Sequence, residues 1–342
     1  MIRVKYIYGL VPVLLIFFGL SRWKDVESSN ATKINGASLV SPPQKISPRL
    51  FSSLNDLNAN WVAIIPFGFS RGHEPGVRFN HQRQWWGERT DGTCELVKCA
   101  KDYDLRILLK PHVWVLGDGW PGEYDLDTES DWQIWEKDYR KYILTYAKIA
   151  DSLNVDMFAV GTEYRHAVVK RERFWRELIR EVREIYDGPL TYAANWDNYQ
   201  KIQFWDQLDY IGVDAYFPLD DDPNPTIAQL ERGWQADFGD LSTFSGKWKR
   251  PILFTEYGYQ SVDKAAGKHW EIDKSHHALN MEVQANAYQA LFNKFWGQEW
   301  FAGGFFWKWH LKEAYGGAKN PNFTPQGKLA EEVIRKHFSA YR

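Results

Sequence analysis

The chain has 342 residues, of which 44% are hydrophobic and 25% are charged, and its formal net charge is −2. This nearly even balance of charge argues against a polyanionic partner, so no nucleic acid is expected to bind. The 18 tryptophans exceed what a hydrophobic core usually needs, and stacking on sugar rings or nucleobases is the usual role of such a surplus. Sugar rings are therefore the favoured ligands.

Residues 1–24 have the layout of an export signal. Arg3 and Lys5 precede an apolar segment at residues 6–20, which is short for a membrane span. No A-x-A cleavage site follows, so an uncleaved anchor that tethers the protein to a membrane is the alternative to a removed signal peptide. Both interpretations predict an exported protein, either periplasmic, extracellular or membrane-anchored. The polar residues 25–33 predict a flexible linker, and residues 34–342 a single catalytic domain.

From residue 34 onwards, short apolar runs alternate eight times with amphipathic stretches. The predicted strands are Ile34–Val40, Trp61–Phe67, Arg106–His112, Met157–Val160, Leu190–Ala194, Tyr210–Ala215, Ile252–Thr255 and Gly303–Trp307. The helices predicted after them are Pro48–Asn58, Cys94–Asp104, Asp131–Leu153, Arg171–Tyr186, Gln200–Gln207, Ile227–Phe238, Val283–Phe295 and Lys328–Phe338. Strands that alternate with helices form a parallel sheet with right-handed crossovers. Because no glycine-rich phosphate loop follows the first strand, we predict an α/β fold of the closed (β/α)8 TIM-barrel type rather than an open sheet.

Only two cysteines are present, Cys94 and Cys99, and both lie in a predicted helix. Residues five apart on a helix do not face each other, so we expect no disulfide between them. No histidine or further cysteine lies nearby in a ligand pattern, and both thiols are therefore predicted to be small buried hydrophobic groups. We predict neither a metal nor another cofactor.

Two glutamates occupy equivalent positions at the ends of predicted strands. The fourth strand ends in Thr162-Glu163-Tyr164, and the seventh ends in Thr255-Glu256-Tyr257. One such glutamate alone would more often be a structural cap or ion-pair partner. In a (β/α)8 barrel, however, active residues lie at the C-terminal ends of the strands, and these two strands face each other across the mouth. The sequence therefore places two carboxylates where glycoside hydrolysis needs a pair.

Hydrogen-bonding and aromatic side chains follow other predicted strands. His112 and Trp114 follow the third strand, Asn195 and Trp196 the fifth, Tyr216 the sixth, and Trp307 ends the eighth. Each has a structural alternative, since the histidine could bond a backbone carbonyl and the tryptophans could cover the core. We interpret these residues and Thr162 as candidates for binding a polyhydroxylated substrate.

The motifs at these strand ends resemble those of the clan A glycoside hydrolases, and within that clan those of glycoside hydrolase family 113, whose characterised members are β-mannanases. The motifs are Trp85-Trp86-Gly87-Glu88, Leu109-Lys110-Pro111-His112-Val113-Trp114, Val160-Gly161-Thr162-Glu163, Ala194-Asn195-Trp196-Asp197, Ile211-Gly212-Val213-Asp214-Ala215-Tyr216 and Thr255-Glu256-Tyr257-Gly258. The resemblance covers about residues 34–340. It implies retaining hydrolysis of β-1,4-mannosidic linkages in mannan or manno-oligosaccharides by double displacement.

The resemblance also implies a role for individual residues. Glu163 would be the acid/base and Glu256 the nucleophile, with Tyr216 hydrogen-bonded to that nucleophile and Trp307 forming the floor of the subsite where cleavage occurs. Thr162 is a departure, because much of the clan has asparagine directly before the acid/base, in contact with the sugar 2-hydroxyl.

Two other functions are left open by the sequence. The first is another clan A β-glycosidase activity, on glucan or as an exo-acting mannosidase. The second is a barrel that binds glycans without cleaving them, and the opposed glutamates argue against it. In each case the expected partner is a polysaccharide or oligosaccharide, and the chain is expected to act as a monomer.

Overall fold

The computed structural model describes residues 32–72, 74–117, 120–272 and 278–341. The export segment predicted at residues 1–24, with the proposed tether at 6–20, lies outside the described residues, as does nearly all of the linker predicted at 25–33. Within the described ranges, no helix combines the length and the apolar composition that a membrane crossing requires.

The described part of the chain contains eleven strands and nine α-helices. The strands are β1 (Ile34–Leu39), β2 (Trp61–Ile64), β3 (Phe67–Arg71), β4 (Glu74–Phe79), β5 (Arg106–Leu109), β6 (His112–Leu116), β7 (Met157–Thr162), β8 (Leu190–Asn195), β9 (Ile211–Asp214), β10 (Ile252–Tyr257) and β11 (Phe301–Trp309). The helices are α1 (Ser52–Asp56), α2 (Thr90–Lys101), α3 (Glu129–Ser152), α4 (Ala167–Lys170), α5 (Glu172–Arg183), α6 (Ile227–Gly233), α7 (Gln235–Trp248), α8 (Met281–Phe295) and α9 (Leu329–Ala340).

Eight strands close into a parallel barrel in the order β1, β2, β5, β7, β8, β9, β10 and β11, with β11 paired back to β1. All six residues of β1, β7, β8 and β10 are buried. Such continuous burial is expected where side chains fill the barrel on one face and helices cover the other. The predicted (β/α)8 barrel is therefore confirmed.

The segment between β2 and α2, where the sequence analysis predicts no strand after Phe67, contains part of a second sheet. The predicted second and third strands each break at a proline, Pro66 or Pro111, and the chain then begins β3 and β6. Proline lacks the N–H that a sheet ladder needs, which explains both breaks. Strand β3 pairs antiparallel with β4 and parallel with β6. One face of this three-stranded sheet packs on α3, where the ring of Phe79 lies 5.0 Å from that of Tyr142.

Two of the predicted helices differ from those observed. Helix α3 begins two residues before the predicted start, because the hydroxyl of Thr128 caps it by accepting from the backbone N–H of Asp131. The helix predicted at Gln200–Gln207 is instead two short 3₁₀ turns, Tyr199–Lys201 and Trp205–Gln207.

Much of the tryptophan surplus is structural. The side chains of five tryptophans are less than 2% exposed and fill the layer around the barrel: Trp135, Trp175, Trp205, Trp234 and Trp296. Trp309, at the end of β11, is also buried and donates its indole N–H to Ser53. Fewer tryptophans are thus available for ligands than the composition suggests.

One cysteine prediction was wrong, since Cys99 is buried but Cys94 is only half-buried.

Candidate active site

Strand register brings charged side chains together at the C-terminal mouth of the barrel. Glu256 lies near the end of β10, and its Cα pairs in register with that of Asp214, the last residue of β9. Lys110 directly follows β5, and Glu163 directly follows β7. The two predicted glutamates and two further ionisable residues therefore meet at one rim.

Glu256 is buried between a cation and a hydroxyl group. Its Oε1 forms an ion pair with Nζ of Lys110, and Oε2 accepts a hydrogen bond of 2.7 Å from the hydroxyl of Tyr216. Burial by itself would lower the pKa of Lys110, but the carboxylates of Glu256 and Asp214 outweigh it, so that the pKa is raised. Burial, reinforced by Glu256, also holds the pKa of Tyr216 well above its usual value. Lysine thus stays charged and tyrosine stays a donor, and together they bind and orient the two carboxyl oxygens of Glu256.

Asp214 is a second buried carboxyl group beside Glu256. Its Oδ1 accepts a hydrogen bond of 2.7 Å from the hydroxyl of Thr255, whereas Oδ2 has no hydrogen-bond partner among the described residues. Burial is the main reason that the pKa of Asp214 rises to about 7, with Lys110 acting in the opposite direction and Glu256 in the same one. The positive charge of Lys110 therefore acts on two carboxyl groups, those of Glu256 and Asp214.

Glu163 has a different environment from Glu256. It is partly exposed at the mouth, with a backbone φ of +55°, and its N–H donates to the carbonyl of Ala193 at 2.8 Å. The indole N–H of Trp120 donates to its Oε2 at 2.8 Å. Burial of the carboxyl group, followed by the negative charges of Asp214 and Glu256, raises the pKa of Glu163 well above its usual value, and the Trp120 bond only partly opposes this. The raised pKa favours the protonated form of Glu163, which can donate a proton.

A chain of polar contacts supports Trp120 from the next strands. The guanidinium of Arg165 lies 5.4 Å from the Trp120 ring and forms an ion pair of 2.9 Å with Asp197. Asp197 in turn accepts a hydrogen bond of 2.9 Å from the side-chain amide of Asn195. Asn195, predicted to bind substrate, thus belongs to the network of contacts behind Trp120 and Glu163.

His112 and Thr162 are both buried. The hydroxyl of Thr162 donates to the carbonyl of Pro111 at 3.2 Å. The His112 ring stacks on Phe67 at 5.3 Å, and neither ring nitrogen has a partner among the described residues. Burial, with the positive charge of Lys110, lowers the pKa of His112 to about 3, so the ring is neutral. Two unsatisfied nitrogens next to Lys110 can accept or donate a hydrogen bond to a ligand hydroxyl.

Three predicted tryptophans border the mouth. Trp307, at the end of the barrel on β11, is half-buried with Nζ of Lys110 5.8 Å from its ring. Trp114, on β6, is 47% exposed. Trp196 is half-buried and stacks on Trp270 with ring centroids 5.8 Å apart. Rings that are reachable from solvent in this way can stack on the faces of sugars.

Three residues of the site were not predicted as functional from the sequence. Lys110 and Asp214 carried a signal, since a charged residue closing an apolar strand of a barrel must find a partner. Trp120 lies in the loop between β6 and α3, where nothing in the local sequence distinguishes it from the other tryptophans. In the part of the chain that the structure describes, no group of three or more His, Cys, Asp or Glu side chains could hold a metal ion.

Comparison with known proteins places these features in context. A sequence profile of Glycoside Hydrolase Family 113 matches residues 44–328. A solved structure of the GH113 β-mannanase AaManA from Alicyclobacillus acidocaldarius, in complex with ManMIm, is similar with a TM-score of 0.79 and 25% identity, over 91% of this chain and 98% of that one. A complex structure of a GH113 β-1,4-mannanase matches with a TM-score of 0.77 and 27% identity, over 90% and 99% of the two chains.

More distant similarity concerns the fold alone. The β-glucuronidase of Faecalibacterium prausnitzii matches with a TM-score of 0.60 and 14% identity, over 90% of this chain and 49% of that one. A search of curated protein sequences finds no match.

Proposed function

The chain belongs to glycoside hydrolase family 113 and is a glycoside hydrolase, and from this premise we propose that it is a retaining β-1,4-mannanase. In this proposal Glu256 is the nucleophile and Glu163 the acid/base. The solved structures of 25% and 27% identity are those of β-mannanases, which supports mannan as the substrate. The reaction needs no cofactor, because the two carboxyl groups supply all the proton and nucleophile chemistry.

One observation carries the mechanism, which is the difference between the surroundings of the two glutamates. Glu256 is buried against the charged Lys110 and accepts a hydrogen bond from Tyr216, a setting that stabilises an anion. Glu163 is partly exposed at the mouth, and burial of its carboxyl group, with nearby negative charges, raises its pKa. Double displacement requires such a pair, one an ionised nucleophile and the other a proton donor.

In the first step the carboxylate of Glu256 attacks the anomeric carbon of the sugar. The bond between that carbon and the glycosidic oxygen breaks, and its electron pair goes to the oxygen, which takes the proton of Glu163. The products are a sugar with a free hydroxyl and a glycosyl ester on Glu256. As the ester forms, Glu256 loses its negative charge, and this removes one of the charges that keep Glu163 protonated.

In the second step Glu163 acts as a base. Its carboxylate takes a proton from water while the water oxygen attacks the anomeric carbon, and the ester bond to Glu256 breaks. Glu256 regains its charge beside Lys110, and Glu163 ends the cycle protonated as it began. Two inversions give net retention of configuration.

Thr162 bears on the choice of sugar. Its hydroxyl already donates to Pro111, so a contact with the 2-hydroxyl of the substrate would use the oxygen as an acceptor. In this proposal the neutral His112 and the amide of Asn195 supply further hydrogen bonds, while Trp307, Trp114 and Trp196 supply stacking surfaces.

Product analysis tests the substrate and the stereochemistry together. Purified protein is incubated with mannan, glucomannan, xylan and mixed-linkage glucan, and the first products are followed by proton NMR of the anomeric signals. We expect release of manno-oligosaccharides that initially carry the β configuration. Faster cleavage of glucan would support the alternative clan A activity, and α products would exclude the retaining mechanism.

The nucleophile is tested separately with Glu256→Gln. We expect this variant to lose turnover and still bind manno-oligosaccharides in calorimetry, because the amide keeps the shape of the side chain. Full activity in the variant would exclude Glu256 as the nucleophile.

We also propose that the protein is exported and acts outside the cytoplasm. The basic and apolar pattern of residues 1–24 supports this proposal. Cell fractionation followed by N-terminal sequencing tests it, and recovery of the intact chain from the cytoplasm would contradict it. A full-length chain in the membrane fraction would favour the tether at residues 6–20 over a cleaved signal peptide.

A further inference from the structure

The three-stranded sheet has a free face that continues outward from the active site. Phe67 pairs in register with His112, which lies beside Lys110, and these two form the first row of that face. Alternate residues of a strand share a face, so Phe69 and Trp114 form the next row, about 7 Å further out. The antiparallel partner of Phe69 is Arg78, which extends this row to a third strand. A sugar chain leaving the cleavage site along this face would meet two aromatic rings and then a guanidinium.

A cavity of about 520 Å³ lies at the outer end of this face. Phe69 and Arg78 form its wall on the sheet side. The loop after β4 forms the opposite wall, and its lining residues are His81, Arg83, Gln84, Trp85 and Glu88. The volume is within the range of small-molecule sites.

The loop wall is fixed by hydrogen bonds rather than loose. The side-chain amide of Gln84 donates to the carbonyl of Phe67 at 2.8 Å and accepts from the N–H of His81 at 2.7 Å. The carboxylate of Glu88 accepts from the N–H of Trp85 at 3.2 Å. The Trp85 side chain is 50% exposed and lines the cavity. Its loop is fixed to β3 by the hydrogen bond from Gln84 to Phe67. Preformed walls reduce the ordering cost of binding a ligand.

The charges in the cavity favour an anion. Many arginines of the described chain are held by carboxylates, as Arg171 is by Glu129 and Arg176 by Asp206. Among the ion pairs of the described residues, none engages Arg78 or Arg83. The single carboxyl group of the lining, Glu88, is bound to the backbone N–H of Trp85, and its burial raises its pKa. Two exposed guanidinium groups therefore line this space, and neither forms an ion pair with a carboxylate of the described residues.

We propose that this cavity is a distal subsite for a carboxylate-bearing sugar unit, so that the preferred substrate is a mannose-containing polysaccharide with acidic units. Arg78 and Arg83 bind the carboxylate, because the guanidinium fork matches the two oxygens of that group. Trp85 and Trp114 stack on the sugar faces. The inference rests on the proposed function, since the polysaccharide that fills the subsite is the one being cleaved at Glu163 and Glu256.

The test compares two forms of one substrate. Mannan is used as such and after a minority of its primary hydroxyl groups have been oxidised to carboxylates, and kcat/KM of the full-length protein is measured on each. We expect the parent protein to prefer the oxidised mannan by about tenfold, which corresponds to one charge-assisted hydrogen bond at the low end of its usual range. The preference should shrink when salt is added, because the charges are exposed.

Matched variants assign the preference to the cavity. In the double variant Arg78→Gln with Arg83→Gln, the two substrates should become equivalent, whereas the double lysine variant should keep part of the preference. Arg232→Gln is the control, because Arg232 is an exposed arginine on α6, outside the cavity. Thermal unfolding of each variant checks that the fold is intact.

The outcomes separate the two proposals. If the parent cleaves both mannans equally well, or if Arg232→Gln removes the preference as fully as the double variant, the distal subsite is refuted while the mannanase proposal stands. If the parent cleaves neither, the mannanase proposal fails. Calorimetric binding of both mannans to the Glu256→Gln protein, with and without the two arginine substitutions, then decides whether the cavity selects acidic sugars.

Discussion

The variant Lys110→Met keeps the length of the side chain but removes the ammonium group that pairs with Glu256. The lysine side chain is 0% exposed and that of the glutamate 7%, so water cannot solvate the carboxylate that loses its partner. Two carboxyl groups, Glu256 and Asp214, would then be buried side by side without a cation. We expect this pair to take up a proton, because like charges in a buried site cannot both stay ionised.

The size of the effect follows from the burial of the pair. Breaking a buried ion pair by removing one partner costs about 3–5 kcal/mol. One pH unit corresponds to about 1.4 kcal/mol, so the proton should persist on the pair to a pH about 2–4 units higher than in the parent. A protonated Glu256 cannot attack the sugar. At neutral pH we therefore expect kcat/KM to fall on the order of 100-fold, with recovery as the pH is raised.

The assay is the pH dependence of kcat/KM on mannan for the parent, Lys110→Met and Lys308→Met. The last variant is the matched control, since Nζ of Lys308 lies 5.6 Å from the Trp307 ring and that of Lys110 lies 5.8 Å from it. Only Lys110 also pairs with Glu256, so the control should lose no more than a few fold. If Lys110→Met kept its activity at neutral pH with an unchanged acid limb, the cation would not be what keeps the nucleophile ionised.

Three more predictions concern proton transfer and stability. Glu163→Ala should lose much less activity on substrates with an activated leaving group than on mannan, because departure then needs no proton; equal losses would contradict the acid role. Trp120→Phe removes the hydrogen bond that opposes the raised pKa of Glu163, so the alkaline limb of kcat/KM should move up by roughly 0.5–1 pH unit if the bond is worth about 1 kcal/mol; a downward shift would show that the bond does not favour the carboxylate. His337 is stacked 4.0 Å from Phe292, and burial lowers its pKa from 6.5 to about 4, so it is neutral when folded and takes up a proton on unfolding. Its contribution to the free energy of unfolding is present above pH 6.5 and is lost as the pH falls towards 4, at no more than about 1.4 kcal/mol per pH unit. Urea unfolding should show a shallower loss over this range for His337→Phe than for the parent; identical slopes would exclude His337 as a source.

The barrel and the glutamate pair could be predicted because they depend on pattern alone. Eight apolar runs alternate with amphipathic stretches, and a closed parallel barrel puts every strand end on one rim. Glu163 and Glu256 follow from that rule with no knowledge of side-chain contacts. The roles assigned to them are still predictions, and the experiments above test them.

Other features of the site depend on which way a side chain points. A shift of one residue along a strand moves a side chain to the opposite face, and the sequence alone does not fix the register. The sequence predicts Thr162 as a candidate sugar contact, and only the structure shows that its hydroxyl also donates to the carbonyl of Pro111. The contact between Trp120 and Glu163 depends on the path of the loop that brings the indole N–H to the carboxyl group. Neither contact leaves a trace in local composition.

The three-stranded sheet was missed for a different reason. Strands β3 and β4 are short, contain Gly68 and Gly76, and expose one face, so their polar residues resemble a loop. Their packing on α3, more than fifty residues later in the chain, stabilises them. A signal that depends on a distant partner is not readable from the segment itself.

The left-handed backbone at Glu163 bears on how this protein can change over generations. A residue with a Cβ costs about 1–2 kcal/mol in that conformation, and glycine does not. Selection for stability alone would therefore replace the proposed proton donor by glycine, which would also remove a partly desolvated carboxyl group. A single substitution of Glu163 by glycine would thus relieve the backbone strain and remove the proposed proton transfer at once. If Glu163 is the proton donor, selection for turnover is what would keep glutamate at this position.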